Sequence, residues 1–196
     1  MPNTYCIAVI DDEPGMRLML RHLFQSEGMA VRCYEGAESL LREDEDVRFG
    51  CIVLDLALSG MSGLDLLVDL RRRSSDVPIV MISGRANVSD AIDAFNNKAS
   101  AFFEKPFDNA EIARAVCELM SEWVTKQEHR AVVSAKLADL SPRENEVLDA
   151  LVAGKKTTQI ARELAISPST VEKHRLHIFA KTQVDSFVGL VHLVLQ

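Results

Sequence analysis

Apolar and polar positions fall in alternating blocks over the first part of the chain. A short apolar run, YCIAVI at residues 5–10, ends on the paired acids Asp11 and Asp12. The following PGMRLMLRHLFQSEG has Pro14 near its start, an apolar side at Leu18, Leu20, Leu23 and Phe24, and Gly28 at its end, a pattern that predicts a helix. AVRCY, CIVLD, PIVMI and AFFE predict further strands, and AESLLRE, GLDLLVDLRRR, SDAIDAFNN and NAEIARAVCELMSEWV the helices between and after them. Strands this continuously apolar, alternating with helices, predict an α/β fold with a parallel sheet covered on both faces.

Beyond residue 124 the strand signals stop. TKQEHRAVVSAKLAD, residues 125–139, contains good helix formers without Gly or Pro, and predicts a helical linker over 125–138 that continues the preceding helix. Ser141-Pro142-Arg143-Glu144 has the form of a capping box with a first-turn proline. Helical patterns follow in NEVLDALVAG, TTQIARELAI, PSTVEKHRLHIFAKT and DSFVGLVHLVLQ. The organisation predicted is an α/β domain over 1–124, the linker, and an all-α four-helix domain over 139–196.

Composition narrows the class. The chain is 47% hydrophobic, enough for packed cores, and has no apolar run of membrane-spanning length. Its first residues lack the basic start and small-residue cleavage site of a signal peptide, so a cytoplasmic protein is expected. Cys6, Cys33, Cys51 and Cys117 are widely spaced, which suits reduced thiols better than disulfides or a zinc site. Residues 1–124 hold 12 basic and 21 acidic side chains, and residues 125–196 hold 10 and 8. An acidic first part and a mildly basic second part suggest different partners.

Ligands of a parallel α/β sheet bind outside the carboxyl ends of its strands. There the pattern places Asp11, Asp12, Asp55, Ser83 and Lys105. Clustered carboxylates repel one another and favour a bound cation, and hard oxygen ligands suit Mg²⁺. A carboxylate beside Mg²⁺ and a lysine can attack phosphorus and form an acyl phosphate. The segments VIDDEP, VLDLALSGMSGLDLL, PIVMISG and FFEKPF resemble, in order and separation, the receiver domain of bacterial response regulators. That resemblance implies a flavodoxin-like (βα)5 domain in which Asp55 accepts phosphate from a histidine kinase. It implies that Asp11, Asp12, Asp55 and the backbone carbonyl of Ala57 hold Mg²⁺, that Ser83 and Lys105 contact the phosphoryl group, and that Phe102 is a rotamer switch beside Ser83. It also implies a cis peptide before Pro106. The chain departs from the family in four places: Ser59 stands where proline is usual, which predicts a looser loop; Ala57 is small; Lys98 stands where glycine is common; and Ala101 stands where an acid is common.

LSPRE, VLDALVAGK, QIARELAIS and STVEKHR resemble the DNA-binding domain of LuxR/FixJ-type regulators, a helix-turn-helix whose second helix enters the major groove. Val171 and Ile178 lie on one face of that helix and are expected to pack inward, with His174 structural. Glu172, Lys173, Leu176 and His177 are candidates for base edges, and Thr170, Arg175 and Lys181 for phosphates, with Lys155 and Lys156 in the preceding loop. Residues 139–196 carry seven basic and seven acidic groups, so weak binding by a monomer and useful affinity by a dimer are expected. Thr182 is unusual, the family preferring Leu or Met there. Phe187, Leu190, Val191, Val194 and Leu195 give the last helix a broad apolar side suited to pairing.

Together the two resemblances imply a response regulator of the FixJ/NarL type. Phosphorylation would drive a homodimer, through a face built from Ala86–Asn97, Ala101–Glu104 and Asn109–Val124, onto a two-fold DNA site, with no membrane partner. Three alternatives stay open: a Mg²⁺-dependent phosphohydrolase, a protein-binding adaptor that never touches DNA, and a regulator that works without phosphate.

Overall fold

The computed structural model describes residues 5–43, 47–73, 75–84, 88–184 and 186–195. The chain divides into two compact units, residues 1–125 and 126–196. No helix among the described residues is long and apolar enough to cross a membrane.

The first unit alternates β1 (Cys6–Ile10), α1 (Pro14–Ser26), β2 (Val31–Tyr34), α2 (Ala37–Leu41), β3 (Phe49–Asp55), α3 (Gly63–Arg72), β4 (Ile79–Ser83), α4 (Val88–Asn96), β5 (Ala101–Glu104) and α5 (Asn109–Ala138). The five strands form one sheet in the order β2-β1-β3-β4-β5, and every pairing is parallel. The three central strands, β1, β3 and β4, are apolar up to their last residues because the sheet is covered on both sides. Ala8, Ile10, Ile52, Leu54, Ile79 and Met81 enter one core, while Ile7, Val9, Cys51, Val53, Val80 and Ile82 enter the other. This is the two-residue alternation of a pleated strand, with an apolar layer waiting on each face. At about 1.5–3 kcal/mol for each buried large aliphatic side chain, the two layers dominate the stability of the unit.

Two loops are tied down by polar contacts. Lys98 adopts φ +66, a left-handed conformation that a side chain disfavours, which accounts for the glycine common at this position. Arg71 holds it there, donating to the Lys98 carbonyl at 3.0 Å and to those of Ser75 and Val77 at 2.9 Å each. Helix α5 runs on to Ala138, and the division between the units falls within it. Trp123 on α5 packs edge-on to Tyr5, with ring centroids 5.1 Å apart. Its indole nitrogen donates to Asp76 at 3.1 Å.

The second unit is all helical: α6 (Pro142–Val152), α7 (Thr157–Glu163), α8 (Pro168–Thr182) and α9 (Phe187–Leu195). Its core gathers Leu140, Val147, Leu148, Leu151, Ile160, Val171, Ile178 and Leu190. Val171 and Ile178 are fully buried, as their spacing predicts. Thr182 is also fully buried, and its hydroxyl is satisfied by donating to the Ile178 carbonyl at 2.7 Å. A leucine or methionine there would need no such bond.

Glu144 ties α6 to α8. Its carboxylate accepts from the Ser141 amide at 2.8 Å, closing the capping box. It also receives the Lys181 ammonium at 2.7 Å. The Lys181 hydrogen bond and the Ser141 amide hold its pKa down, from 4.5 to about 2. A lowered folded-state pKa means stability that is present in full above pH 4.5 and is lost as pH falls from there through about 2. Lys181 is 39% exposed, so solvent screening leaves on the order of 1 kcal/mol. The melting temperature of Glu144→Gln is therefore expected to lie below that of wild type above pH 4.5, with the gap closing toward pH 2. Thermal melts of both proteins across that range, followed by circular dichroism, check this; a gap that stays constant with pH contradicts it.

Candidate functional site

Parallel register brings the ends of β1, β3 and β4 to one rim. Ile10 pairs with Leu54, Asp55 pairs with Ile82, and Ser83 pairs with Glu104. The next residue after β1 is Asp11, β3 ends on Asp55, and β4 ends on Ser83. The backbone amide of Lys105 donates to the Ser83 carbonyl at 2.7 Å, which carries the lysine to the same rim. Asp11 is completely buried and Asp55 is 4% exposed, an unusual position for carboxylates unless something compensates their charge.

Lys105 supplies part of the compensation. Its ammonium lies 2.8 Å from Asp11 Oδ2 and 2.9 Å from Asp55 Oδ1. The contact to Asp55 is an ion pair without hydrogen-bond angles, so the buried Oδ1 makes no hydrogen bond. The other Asp55 oxygen accepts the Ala57 amide at 3.2 Å. Asp11 Oδ1 accepts the Glu13 amide at 2.8 Å, and the Asp11 carbonyl accepts from Arg17 at 2.7 Å. Burial raises the Asp55 pKa, and the nearby Asp11 charge adds to this, while Lys105 opposes both. For Lys105, burial alone would lower the pKa, but Asp11 and Asp55 together outweigh it and the net shift is upward. The carboxylates thus sustain the charge on the amine, whereas for Asp55 burial outweighs the lysine and the net shift is upward.

Asp12 completes the cluster from an exposed position. Asp11, Asp12 and Asp55 can each offer an oxygen, all within 4.8 Å of one another. Three carboxylates facing one lysine leave negative charge in excess. A hard divalent cation of the Mg²⁺ type fits this donor set, in which the buried Asp55 Oδ1 has the Lys105 ammonium beside it but accepts no hydrogen bond. Asp11, Asp12 and Asp55 would hold it.

Of the remaining residues predicted for this site, Ser83 is 2% exposed at the rim. Phe102 pairs with Met81 across the sheet and packs half-buried against the core. The Lys105-Pro106 peptide is cis. Beside the rim, α4 exposes Val88 (78%), Ile92 (53%) and Phe95 (52%), an apolar patch on the face predicted for pairing. Residues 86 and 87 of that face lie outside the described residues.

Two contributors carried no signal in the sequence. Glu38, on the short helix α2, accepts the Met61 amide at 3.2 Å and so holds the loop after β3. The amide hydrogen bonds from its own backbone and from Met61 hold its pKa down. Gly63 opens α3 against the Asp55 carbonyl, with no room for a side chain.

On the second unit, α8 presents Glu172, Lys173, Leu176 and His177 outward, with Leu176 69% exposed. Several predicted phosphate holders are engaged within the unit. Lys181 binds Glu144 and, at 3.0 Å, the Asp139 carbonyl. Arg175 pairs with Glu172 at 3.0 Å, and Lys155 with Glu163 at 2.5 Å. The Thr170 hydroxyl lies 2.8 Å from that of Ser167. His177 Nδ1 stands 3.6 Å from Glu144. Among the described residues, no ion pair holds Lys156 or Lys173. On α9, Phe187 and Val188 are exposed and Leu190 is fully buried; the side chain of Leu195 lies outside the described residues.

Comparison with known proteins finds two family matches along the chain. Residues 7–117 match the response regulator receiver domain, and residues 138–194 match the luxR family of bacterial regulatory proteins. The chain is 36% identical over 198 residues to the transcriptional regulatory protein FixJ of Azorhizobium caulinodans, covering 100% of this chain and 94% of that one. Among solved structures it is similar to the response regulator StyR, with a TM-score of 0.71 and 32% identity over 97% of this chain and 98% of the other. It is also similar to full-length FixJ from B. japonicum, with a TM-score of 0.60 and 34% identity over 97% and 95% of the two chains.

Proposed function

For a chain that belongs to the response regulators with a receiver domain and a luxR-family DNA-binding domain, we propose that Asp55 is the phosphoryl acceptor and that its phosphorylation controls DNA binding by a dimer. The family is one of transcription regulators. Joining a receiver to a DNA-binding domain implies a kinase that supplies the phosphoryl group and DNA as the target. Residues 1–124 are taken as the receiver, 125–138 as the helical linker and 139–196 as the DNA-binding domain.

The observation that carries this reading is the meeting of Asp11, Asp12, Asp55 and Lys105 at one rim. One Asp55 oxygen attacks phosphorus of a phosphohistidine; the P–N bond breaks, the electron pair leaves with the imidazole, and an acyl phosphate remains. Mg²⁺, when bound, supplies charge neutralisation for the transferring group. Lys105, already against Asp55, turns its ammonium to a phosphoryl oxygen, and the Ser83 hydroxyl donates to another. The inward pull on Ser83 makes room for Phe102 to turn in. The α4 face that exposes Val88, Ile92 and Phe95 then becomes the pairing surface. A dimer sets two copies of α8 on a two-fold site, where Glu172, Lys173, Leu176 and His177 face base edges. Lys155, Lys156, Thr170, Arg175 and Lys181 serve phosphates, the paired ones after exchanging their internal partners.

The test is incubation with Mg²⁺ and acetyl phosphate, followed by mass, oligomeric state and DNA binding on the same samples. The expected result is one added phosphoryl group, a shift from monomer to dimer, and binding that weakens roughly a hundredfold or more between about 50 and 200 mM salt. Phosphorylation without any change in assembly or DNA binding overturns the proposed control, and steady turnover of small phosphoesters points to a hydrolase instead.

A further inference from the structure

We propose that Ser59 is a positioning residue for the divalent-cation site: its hydroxyl fixes Asp12 in the orientation that binds the metal. Ser59 lies in the loop after β3, four residues beyond Asp55. Its hydroxyl donates to Asp12 Oδ2 at 2.6 Å, a short bond of the charge-assisted kind. Asp12 is the exposed member of the acidic cluster, whereas Asp11 and Asp55 are held by burial, backbone amides and Lys105. Among the described residues, the hydroxyl is the only hydrogen-bond partner recorded for the Asp12 carboxylate.

The serine is itself held. Two residues on, the Met61 amide donates to Glu38 Oε1, and Gly60 between them takes φ +93 against the same Glu38 carboxylate. The loop is thus fastened at two points, Ser59 and Met61, by hydrogen bonds to carboxylates, one in the acidic cluster and one on α2. A proline, the residue usual here in receivers, stiffens the loop through its ring but offers Asp12 no donor. Here the loop is ordered by the same bond that orients a metal ligand. Binding Oδ2 leaves Oδ1 of Asp12 for the cation, and a ligand held beforehand loses less freedom when the metal arrives.

The inference rests on the reading of Asp11, Asp12 and Asp55 as a Mg²⁺ site, and calorimetric titration of the unphosphorylated full chain with MgCl₂ separates the two. Wild type is expected to bind one ion per chain. Ser59→Ala is expected to weaken Mg²⁺ binding about tenfold. Ser59→Thr, which keeps the hydroxyl, is expected to bind as wild type does. Ser59→Pro, which removes the hydroxyl and stiffens the loop, is expected to bind as weakly as the alanine variant. Equal affinities for wild type and Ser59→Ala overturn the role of the serine and leave the metal site standing. So does wild-type affinity in Ser59→Pro, which would make loop stiffness the cause. No Mg²⁺ binding by wild type overturns the metal reading itself. Melting curves of each variant establish that it is folded at the titration temperature.

Discussion

Asp55→Asn is expected to take up no phosphoryl group from acetyl phosphate and Mg²⁺ under conditions where wild type is modified nearly to completion. The amide keeps the shape of the side chain but not its nucleophilic oxygen or its charge. Folding is expected to survive, since Lys105 retains Asp11 at 2.8 Å, and loss of one buried acid relieves repulsion between Asp11 and Asp55. Thermal stability without Mg²⁺ should therefore match that of wild type or rise by about 1 kcal/mol. Intact mass and a melting curve on the same preparation check both statements. A phosphoryl adduct on the variant would move the acceptor elsewhere. Undiminished phosphate-dependent DNA binding in the variant would detach regulation from this residue.

Gly63→Ala is expected to cost about 3 kcal/mol or more, a large loss for one methyl group. A β-carbon built on Gly63 would stand 2.1 Å from the Asp55 carbonyl oxygen and 3.0 Å from Leu56 Cα. Both are backbone atoms and cannot rotate away. The Gly63 amide also donates to the Leu56 carbonyl at 3.0 Å, so the start of α3 and the end of β3 cannot separate without losing that bond. Gly50→Ala is the control. Its β-carbon would stand 2.9 Å from the Met120 methyl, 3.0 Å from Met120 Cγ and 3.1 Å from Tyr5 Cβ, side-chain atoms rather than backbone, and a smaller cost of about 1–2 kcal/mol is expected. Urea unfolding of the three proteins gives the comparison. A Gly63→Ala variant within 1 kcal/mol of wild type would show that the β3–α3 junction shifts easily. Because the strain falls on Asp55 itself, phosphorylation of the variant should also slow.

Much of this molecule is legible in its sequence for identifiable reasons. Strands buried on both faces cannot hide their apolar runs, and helices carrying one apolar side cannot hide their period, so the elements of the first unit emerge in order. Asp11, Asp12, Asp55 and Lys105 are legible because acids and a lysine at strand ends need a purpose. The strand order is not written in any period; it follows only from the parallel pairings, which set Asp11 beside Asp55. The loop at Ser59 reads as loose when proline is missed, yet it is pinned to Asp12 and Glu38. Bonds between residues 47 and 23 positions apart leave no local pattern. Lys181 reads as a phosphate ligand from its place on a basic helix, and its hold on Glu144 spans 37 positions. Gly63 reads as the start of a helix, and nothing local reports that a carbonyl fills the space where its side chain would be.

Trp123 makes the chain its own optical probe. It is the only tryptophan, and it sits against Tyr5 and Asp76, both within residues 1–125. Indole emission therefore reports the environment of that half alone, whereas far-ultraviolet ellipticity sums the helices of both. Denaturation curves recorded by the two signals will coincide only if the halves melt as one cooperative body, so a single instrument pairing reveals whether phosphoryl uptake couples their stabilities.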